Sequence, residues 1–333
     1  MADSVLADPI MAAPSSSSPA KEAIPEFPYE TLILSDSRTL AYSTHGVSLE
    51  DAKHSPIFFF HGTPGSRIEA GIYDELATEH NIHLIGIDRP GYGRSSYQPN
   101  RTFLDWPKDV LALADHLGFA QFGIIGVSGG GPYALACLHE IPTTRLKAAS
   151  IICGASPTHR FGSAGTMFAN RMIGWLASWS TIIVSKLFDY FAGSAARDPN
   201  RQLLYDGVEK QATGGSGPEV DRKAVEDVLR DAKGKTRIVE SFREAIRPGG
   251  DGVAWELWMD VSDWGFELEN VDIGGKRLTW WHGALDVNVP IRLAELTTAK
   301  LHGVNYRRKD EEGHLSIIYN HFGEVMMDLL ARL

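Results

Sequence analysis

The sequence predicts an α/β fold, with a mostly parallel central sheet, helices on both faces of the sheet and an inserted all-helical segment. Up to about residue 155, short apolar strand patterns alternate with helical patterns, which is typical of strands that lie parallel in one sheet. Between residues 156 and 266 the strand patterns stop and helical spacing takes over. From residue 277 the alternation of strand and helix resumes.

These changes of pattern predict a disordered N-terminal tail at residues 1–27, the first part of an α/β core at 28–155, a helical cap at 156–266, and the second part of the core at 267–333. The tail contains the run Ala-Pro-Ser-Ser-Ser-Ser-Pro at 13–19, which has too few apolar residues to form a core. Asp3 and Asp8 stand where a secretory signal peptide would carry positive charge, so no signal peptide is expected.

Composition limits the classes of partner. The formal net charge of −10 disfavours nucleic acid and anionic membrane, and no window approaches the roughly 18 uninterrupted apolar residues of a membrane span. Cys137 and Cys153 lie in apolar runs and are interpreted as buried thiols in a reducing compartment, so a cytoplasmic protein is expected. Cysteine and histidine show no metal-type spacing, and we predict neither metal nor cofactor. The sequence carries no signal for an oligomeric state.

The individual elements follow from these patterns. In the first part of the core, strands are predicted at 29–35, 39–43, 55–60, 82–87, 122–127 and 146–153, with helices at 69–80, 101–117 and 133–138. The first two strands form a predicted antiparallel hairpin at a sheet edge. Cap helices are predicted at 166–179, 181–191, 201–210, 221–232, 236–246 and 253–261, with flexible loops at 213–218 and 248–252. The last strands are predicted at 277–283 and 304–308, and the last helices at 290–301 and 315–333.

One stretch joins a strand to a helix through a serine and three glycines. Ser128 lies at the sharp turn, with Gly126 two residues before it and Gly130 two residues after it, as in the G-x-S-x-G nucleophile elbow. Glycine at both positions removes collisions across the turn, and the serine hydroxyl then stands clear of the sheet at the start of a helix. The pattern therefore predicts a nucleophile, with an ordinary glycine-rich turn as the alternative.

Dinucleotide binding is a second alternative for this turn. Gly129, Gly131 and Ala134 fit the pattern G-x-G-x-x-A. That fingerprint belongs in the first βα turn, with an acidic residue about 20 positions further on. Here several strands come earlier, and residues 148–153 contain no acid.

Acyl transfer at a serine needs two amide donors for the developing oxyanion. Gly129, directly after Ser128, supplies one. The turn His-Gly-Thr-Pro-Gly at 61–65 follows a buried strand, and Gly62 lets its backbone approach a substrate. Thr63 is therefore the predicted second donor.

A base and its orienting acid are also predicted. Asp286 follows the strand at 277–283, and His314 follows glycine in the loop after the strand at 304–308. The carboxyl ends of parallel strands meet at one edge of a sheet, where ligands bind. Imidazole takes a serine proton near neutral pH, and a carboxylate fixes its tautomer. Ser128, His314 and Asp286 are the predicted catalytic residues.

Together these motifs resemble the α/β-hydrolase superfamily with a helical cap. The likeness rests on Gly-Val-Ser-Gly-Gly at 126–130, His-Gly-Thr-Pro-Gly at 61–65, Asp-Arg-Pro-Gly-Tyr-Gly-Arg-Ser at 88–95, His-Gly-Ala-Leu-Asp-Val-Asn-Val-Pro at 282–290 and Gly-His-Leu at 313–315. It covers roughly residues 28–333 and implies the fold and the Ser-Asp-His triad. Gly129 departs from many relatives, which carry a bulkier residue there, so a roomier site is expected.

The predicted function is hydrolysis of an ester, lactone or thioester bond in a mainly apolar small molecule, through an acyl-enzyme. The cap is rich in aromatic residues and Met, and Met172, Trp175 and Trp258 are its predicted pocket residues. Two alternatives stay open. The same triad serves C–C bond cleavage, lyase chemistry and acyl transfer, and a hydrolase fold can act as a small-molecule receptor.

Overall fold

The computed structural model describes residues 27–198, 200–214, 217–274 and 277–333, with the backbone alone for residues 211–214. The predicted disordered tail at 1–27 lies outside the described residues except for Phe27. The predicted flexible loop at 213–218 also lies partly outside them.

The centre of the fold is one eight-stranded sheet with the order β1-β2-β4-β3-β5-β6-β7-β8. Its strands are β1 (Glu30–Ile33), β2 (Thr39–Gly46), β3 (Ile57–Phe60), β4 (His83–Ile87), β5 (Phe122–Val127), β6 (Leu146–Ile152), β7 (Leu278–Gly283) and β8 (Asn305–Lys309). β1 and β2 pair antiparallel, β2 pairs antiparallel with β4, and the six remaining strands run parallel. The predicted fold class and the edge hairpin are both confirmed.

Helices of the core cover both faces of this sheet. They are α1 (Asp74–Glu79), α2 (Trp106–His116), α3 (Gly131–Glu140), α12 (Ile291–Thr298) and α13 (His314–Leu330). Strand β3 has apolar side chains on both faces of the sheet. Phe58 and Phe60 pack on the side of α2 and α3, whereas Phe59 packs with Phe322 of α13 on the other side. Successive side chains of a strand point to opposite faces, so a four-residue apolar strand is buried between two helical layers.

Between β6 and β7, the described residues form helices joined by turns and loops, and none of them is in a strand. Its helices are α4 (Thr158–Phe161), α5 (Phe168–Trp179), α6 (Thr181–Phe188), α7 (Ser194–Arg197), α8 (Gln202–Gly214), α9 (Glu219–Arg230), α10 (Ala232–Ala245) and α11 (Asp251–Val261). Helices α5 and α6 pack on α11, and α9 packs against α13 of the core. Among the described residues, no helix combines the length and the apolar character needed to cross a membrane.

Several observed elements differ from the predictions in type or extent. The predicted helix at 69–80 is a 3-10 turn, Arg67–Tyr73, that leads into the short α1. The predicted helix at 181–191 ends at Phe188 and continues as a π turn, Asp189–Gly193. His314 was expected in a loop, and that expectation is wrong: it is the first residue of α13, whose N-terminus is capped by a distant carboxylate described below.

Candidate active site

Ser128 lies at the sharp turn between β5 and α3, and its backbone adopts the left-handed region with φ of 50°. A side chain here costs strain, which proteins store at functional sites. The turn closes only because its flanks lack side chains. A Cβ at Gly126 would lie 2.7 Å from the carbonyl oxygen of Gly130, and a Cβ at Gly130 would collide with the backbone of Phe60.

Three side chains predicted from separate strand ends come together at this turn. His314 Nε2 lies 3.0 Å from Ser128 Oγ, and His314 Nδ1 lies 2.7 Å from Asp286 Oδ2. The second carboxylate oxygen, Oδ1, accepts hydrogen bonds from the backbone N–H groups of Asn288 and Val289, each at 2.8 Å. Asp286 and His314 are both buried. The carboxylate is therefore held in place by its own loop while it orients the imidazole.

The electrostatics of His314 follow from this contact. Burial lowers its pKa, but the adjacent Asp286 carboxylate stabilises the imidazolium and raises the pKa well above the ordinary 6.5. His282 also lies near, with Nε2 3.4 Å from Asp286 Oδ2. Burial lowers the pKa of His282, so this second imidazole is neutral and adds no competing positive charge.

Gly129 and the turn at Gly62 and Thr63 line the same cavity as Ser128. The expectation of a roomier site at Gly129 stays a prediction. A Cβ at Gly129 would collide with Thr63 Oγ1, so the Thr63 side chain occupies the space beside Gly129. Gly129 is required here because Thr63 lies so close.

The turn is held by a buried arginine that the sequence pattern did not identify. Arg89 donates to the carbonyl oxygens of His61 and Gly62, the latter at 3.2 Å, and to Thr63 Oγ1 at 3.0 Å. It also pairs with Glu256 of α11 at 2.6 Å, and both side chains are fully buried. Burial opposes ionisation of Glu256, but Arg89 lowers its pKa to about 2. Since Glu256 also accepts a hydrogen bond from Thr63 Oγ1, an ion pair fixes α11 to the turn.

A second carboxylate from the helical segment reaches the histidine. Asp221 of α9 accepts hydrogen bonds from the backbone N–H groups of His314 at 3.0 Å, Leu315 at 2.9 Å and Ser316 at 2.8 Å. These are unpaired donors at the start of α13, where a negative charge is stabilising. A Cβ at Gly313 would lie 2.5 Å from both carboxylate oxygens, so glycine before the histidine permits this approach.

A cavity of about 1100 Å³ opens above Ser128 and His314. Its walls come from the two turns and from helices α5, α8, α9, α10 and α11. Of the predicted pocket residues, Trp175 lines the cavity, but Met172 and Trp258 do not. Met172 points outward from α5 and is 44% exposed, whereas Trp258 packs against Trp255, with ring centroids 4.8 Å apart.

Two carboxyl groups in this cavity were not predicted from the sequence. Glu69 accepts a hydrogen bond from the Gly62 N–H at 3.2 Å, and burial raises its pKa to about 7. Asp260 has a buried Oδ1 without a partner among the described residues, and burial raises its pKa well above the ordinary value. Both lie in helical patterns where an acid normally faces solvent, so only tertiary structure identifies them.

Cys153 also approaches the histidine, with Sγ 3.9 Å from His314 Nε2. Cys153, Asp286 and His314 are close enough to offer three ligands to one metal ion. However, burial raises the pKa of the Cys153 thiol, and metals bind the thiolate. Both ring nitrogens of His314 are already engaged, by Asp286 and Ser128. Cys153, Asp286 and His314 are therefore better suited to transfer a proton than to bind a metal ion.

Comparison with known proteins supports a hydrolase fold. A family model described as alpha/beta hydrolase fold matches residues 55–320. An uncharacterised hydrolase of Bacillus subtilis is 31% identical over 107 residues, which span 32% of this chain and 35% of the relative. A proline iminopeptidase of Lactobacillus crispatus is 30% identical over 113 residues, or 32% of this chain and 39% of the relative. The chain thus matches about a third of the length of these relatives.

Solved structures extend the likeness to nearly the whole chain. The enol-lactonase of Burkholderia xenovorans superposes with a TM-score of 0.59, covering 91% of this chain and 100% of the other. The sequences are 16% identical. At this identity the superposition shows a shared fold.

Proposed function

Because the chain belongs to the α/β-hydrolase fold family, we propose that it is a serine hydrolase that cleaves an ester, lactone or thioester through an acyl-enzyme on Ser128. The observation that carries the proposal is the continuous contact from Ser128 through His314 to Asp286, at 3.0 and 2.7 Å, at the floor of a large cavity. Proton transfer needs this hydrogen-bond distance.

The proposed mechanism has two halves. In the first, Ser128 Oγ attacks the carbonyl carbon while its proton passes to His314 Nε2, and the backbone N–H groups of Gly129 and Thr63 stabilise the oxyanion. The imidazolium then gives that proton to the departing alkoxide or thiolate. In the second half His314 takes a proton from water, and the hydroxide formed attacks the acyl carbon. The acid leaves, and Ser128 recovers its proton.

The substrate class follows from the cavity. Apolar side chains of five helices face it, including Ile173, Leu204, Val225, Phe242 and Leu257. Longer acyl groups should therefore bind more tightly, by about 0.8 kcal/mol per buried CH₂ until the cavity is full. The test is kcat and KM for p-nitrophenyl esters from acetate to octanoate, with Phe242→Ala and the outward-facing Met172→Ala as a matched pair. Only Phe242→Ala should move the optimum, and a wild type that prefers short charged acids would contradict the proposal.

The pH dependence of kcat/KM should show a rising limb with its midpoint above 6.5, the ordinary histidine pKa. Only neutral His314 can accept the serine proton, and Asp286 raises the pKa at which it becomes neutral. Activity is therefore lost as pH falls through the raised pKa. Glu69 has a pKa of about 7 in the same cavity, so Glu69→Gln is the control. If the rising limb persists in Glu69→Gln, it is due to His314. A profile that stays flat from pH 5 to 8, the range where histidine titrates, would contradict the assignment of His314 as the base.

Asp221→Ala should lower kcat by about tenfold to a hundredfold with little change in KM, because the N-terminus of α13 loses its anchor and the histidine shifts. The loss of this helix cap should also lower the free energy of unfolding by about 1 kcal/mol. Asp221→Asn keeps one acceptor oxygen and should retain part of the rate. Glu219→Gln on the same helix is the control, since Glu219 pairs with exposed Lys223 at 2.9 Å. If Asp221→Ala loses stability but keeps full kcat, the carboxylate only supports the fold.

A second candidate function is hydrolysis of an amide bond beside a substrate amine. Asp260 favours it, since its buried Oδ1 has no partner among the described residues and the carboxyl group would ionise to pair with a protonated amine in the cavity. The likeness to a proline iminopeptidase supports this reaction. Turnover of proline p-nitroanilide that Asp260→Asn abolishes would establish it. Ester turnover without anilide turnover would exclude it.

A further inference from the structure

One outer face of the helical segment is strongly apolar. We define the apolar cap face as the exposed side chains Phe168, Met172, Trp175, Trp179, Ile182, Ile183, Tyr190 and Phe191, each at least 44% exposed. Soluble monomers rarely expose contiguous apolar patches larger than a few hundred Å². The elements that carry these side chains are adjacent, because α5 packs against α6 and α6 packs against the turn at 189–193. Between ring centroids, Trp175 lies 5.9 Å from Trp179, and Tyr190 lies 5.0 Å from Phe191.

The α5 part of the apolar cap face results from the helical spacing of its residues, which places them on one side of the helix. On α5, positions 168, 172, 175 and 179 fall on one side. The opposite side is buried through Gly174 and Ala177, and α5 and α6 pack on α11. Gly174, Ala177 and the aliphatic Ile173 and Leu176 thus face the fold, while the large aromatic residues face out. The outward-facing aromatic residues of α5 are therefore not needed to form the core of the fold.

The charge of this face is opposite to that of the chain as a whole. Residues 162–188 contain no acid, although the chain carries a net charge of −10. Arg171 and Lys186 are exposed on these helices, and in the described part of the chain neither pairs with a carboxylate. The nearest acid that follows, Asp189, is itself paired with Arg197 at 3.3 Å. Large aromatic residues flanked by free cations are the composition of helices that lie in a lipid interface.

The apolar cap face also meets the opening of the candidate active-site cavity. Trp175 and Phe191 belong to both, and Arg171 stands at the same rim. A second copy of this chain on the face would close the opening and bring like charges together across a twofold axis. A lipid surface leaves the opening in contact with apolar molecules dissolved in the bilayer, and its phosphates pair with the cations.

We propose that the apolar cap face docks on a phospholipid surface, with the aromatic side chains between head groups and Arg171 and Lys186 on phosphates, so that apolar substrate reaches Ser128 from the lipid. The delivery of substrate rests on the proposed hydrolase function, whereas docking does not. Docking is consistent with the absence of a spanning helix among the described residues, since the helices would lie in the plane of the interface.

The test is co-sedimentation with vesicles of phosphatidylcholine, with and without phosphatidylglycerol, at physiological ionic strength. Wild type should bind both, and the anionic vesicles more tightly. Trp179→Ser with Ile182→Ser should weaken binding by about tenfold or more, since each side chain loses its burial in lipid. Lys186→Gln should weaken binding to the anionic vesicles alone, by about fivefold. Ile33→Ser is the matched control, because Ile33 is 64% exposed on the far edge strand.

Three outcomes would overturn the proposal: wild type that binds neither vesicle, equal binding of the double variant, or a wild-type dimer in sedimentation velocity that the double variant dissociates. Turnover of a water-soluble acetate ester should be equal in wild type and the double variant, because Trp179 and Ile182 do not line the cavity. Ser128→Ala protein should still bind vesicles. Failure of docking and failure of the hydrolase proposal are therefore separate results.

Discussion

Ser128→Ala should remove turnover, with a loss on the order of 10⁴ to 10⁶ in rate, because no other group replaces the oxygen that attacks the substrate. The fold should persist, since among the described residues the hydroxyl hydrogen-bonds only with His314, and the turn is held by the glycines on either side. The measurement is kcat on the best p-nitrophenyl ester, together with the thermal midpoint of both proteins.

A matched control separates chemistry from packing in this experiment. Ser156 lines the same cavity, but its hydroxyl has no hydrogen-bond partner among the described residues. Ser156→Ala should therefore keep its turnover. If Ser128→Ala retains a tenth of the wild-type rate, another residue is the nucleophile.

Asp286→Asn should lower kcat by roughly 10⁴-fold. An amide presents a different pattern of donors to His314 Nδ1 and favours the tautomer that cannot accept the serine proton. It also removes the charge that raises the pKa of His314, so any residual activity should persist to lower pH than in wild type. The measurement is the pH profile of kcat/KM for both proteins. A loss of kcat below tenfold would show that Asp286 does not orient the imidazole. An unchanged midpoint of the pH profile would show that Asp286 does not raise the pKa of His314.

Local patterns made the triad predictable. Ser128, Asp286 and His314 each follow a strand, and parallel strands bring their carboxyl ends to one edge of the sheet. Glycines around Ser128 marked the sharp turn, because close backbone approach at Gly126 and Gly130 leaves no room for a side chain. The core strands and helices were also predictable, because the spacing of apolar residues along the chain reflects which face of each element is buried.

Contacts between distant parts of the chain were not predictable. Asp221 lies 93 residues before His314, and Glu256 lies 167 residues after Arg89. No local pattern encodes such pairs, since an acid on an amphipathic helix ordinarily faces water. Met172 was assigned to the pocket because α5 is apolar on nearly every side, and periodicity then does not say which side faces inward.

The most direct test of the central claim is the mass of the intact protein after reaction with a fluorophosphonate, followed by peptide mapping. We expect one adduct per chain, on Ser128, formed much more slowly in Asp286→Asn and absent in Ser128→Ala. Labelling should slow as pH falls through the raised pKa of His314. An adduct on any other residue, or labelling of Ser128→Ala at the wild-type rate, would contradict it.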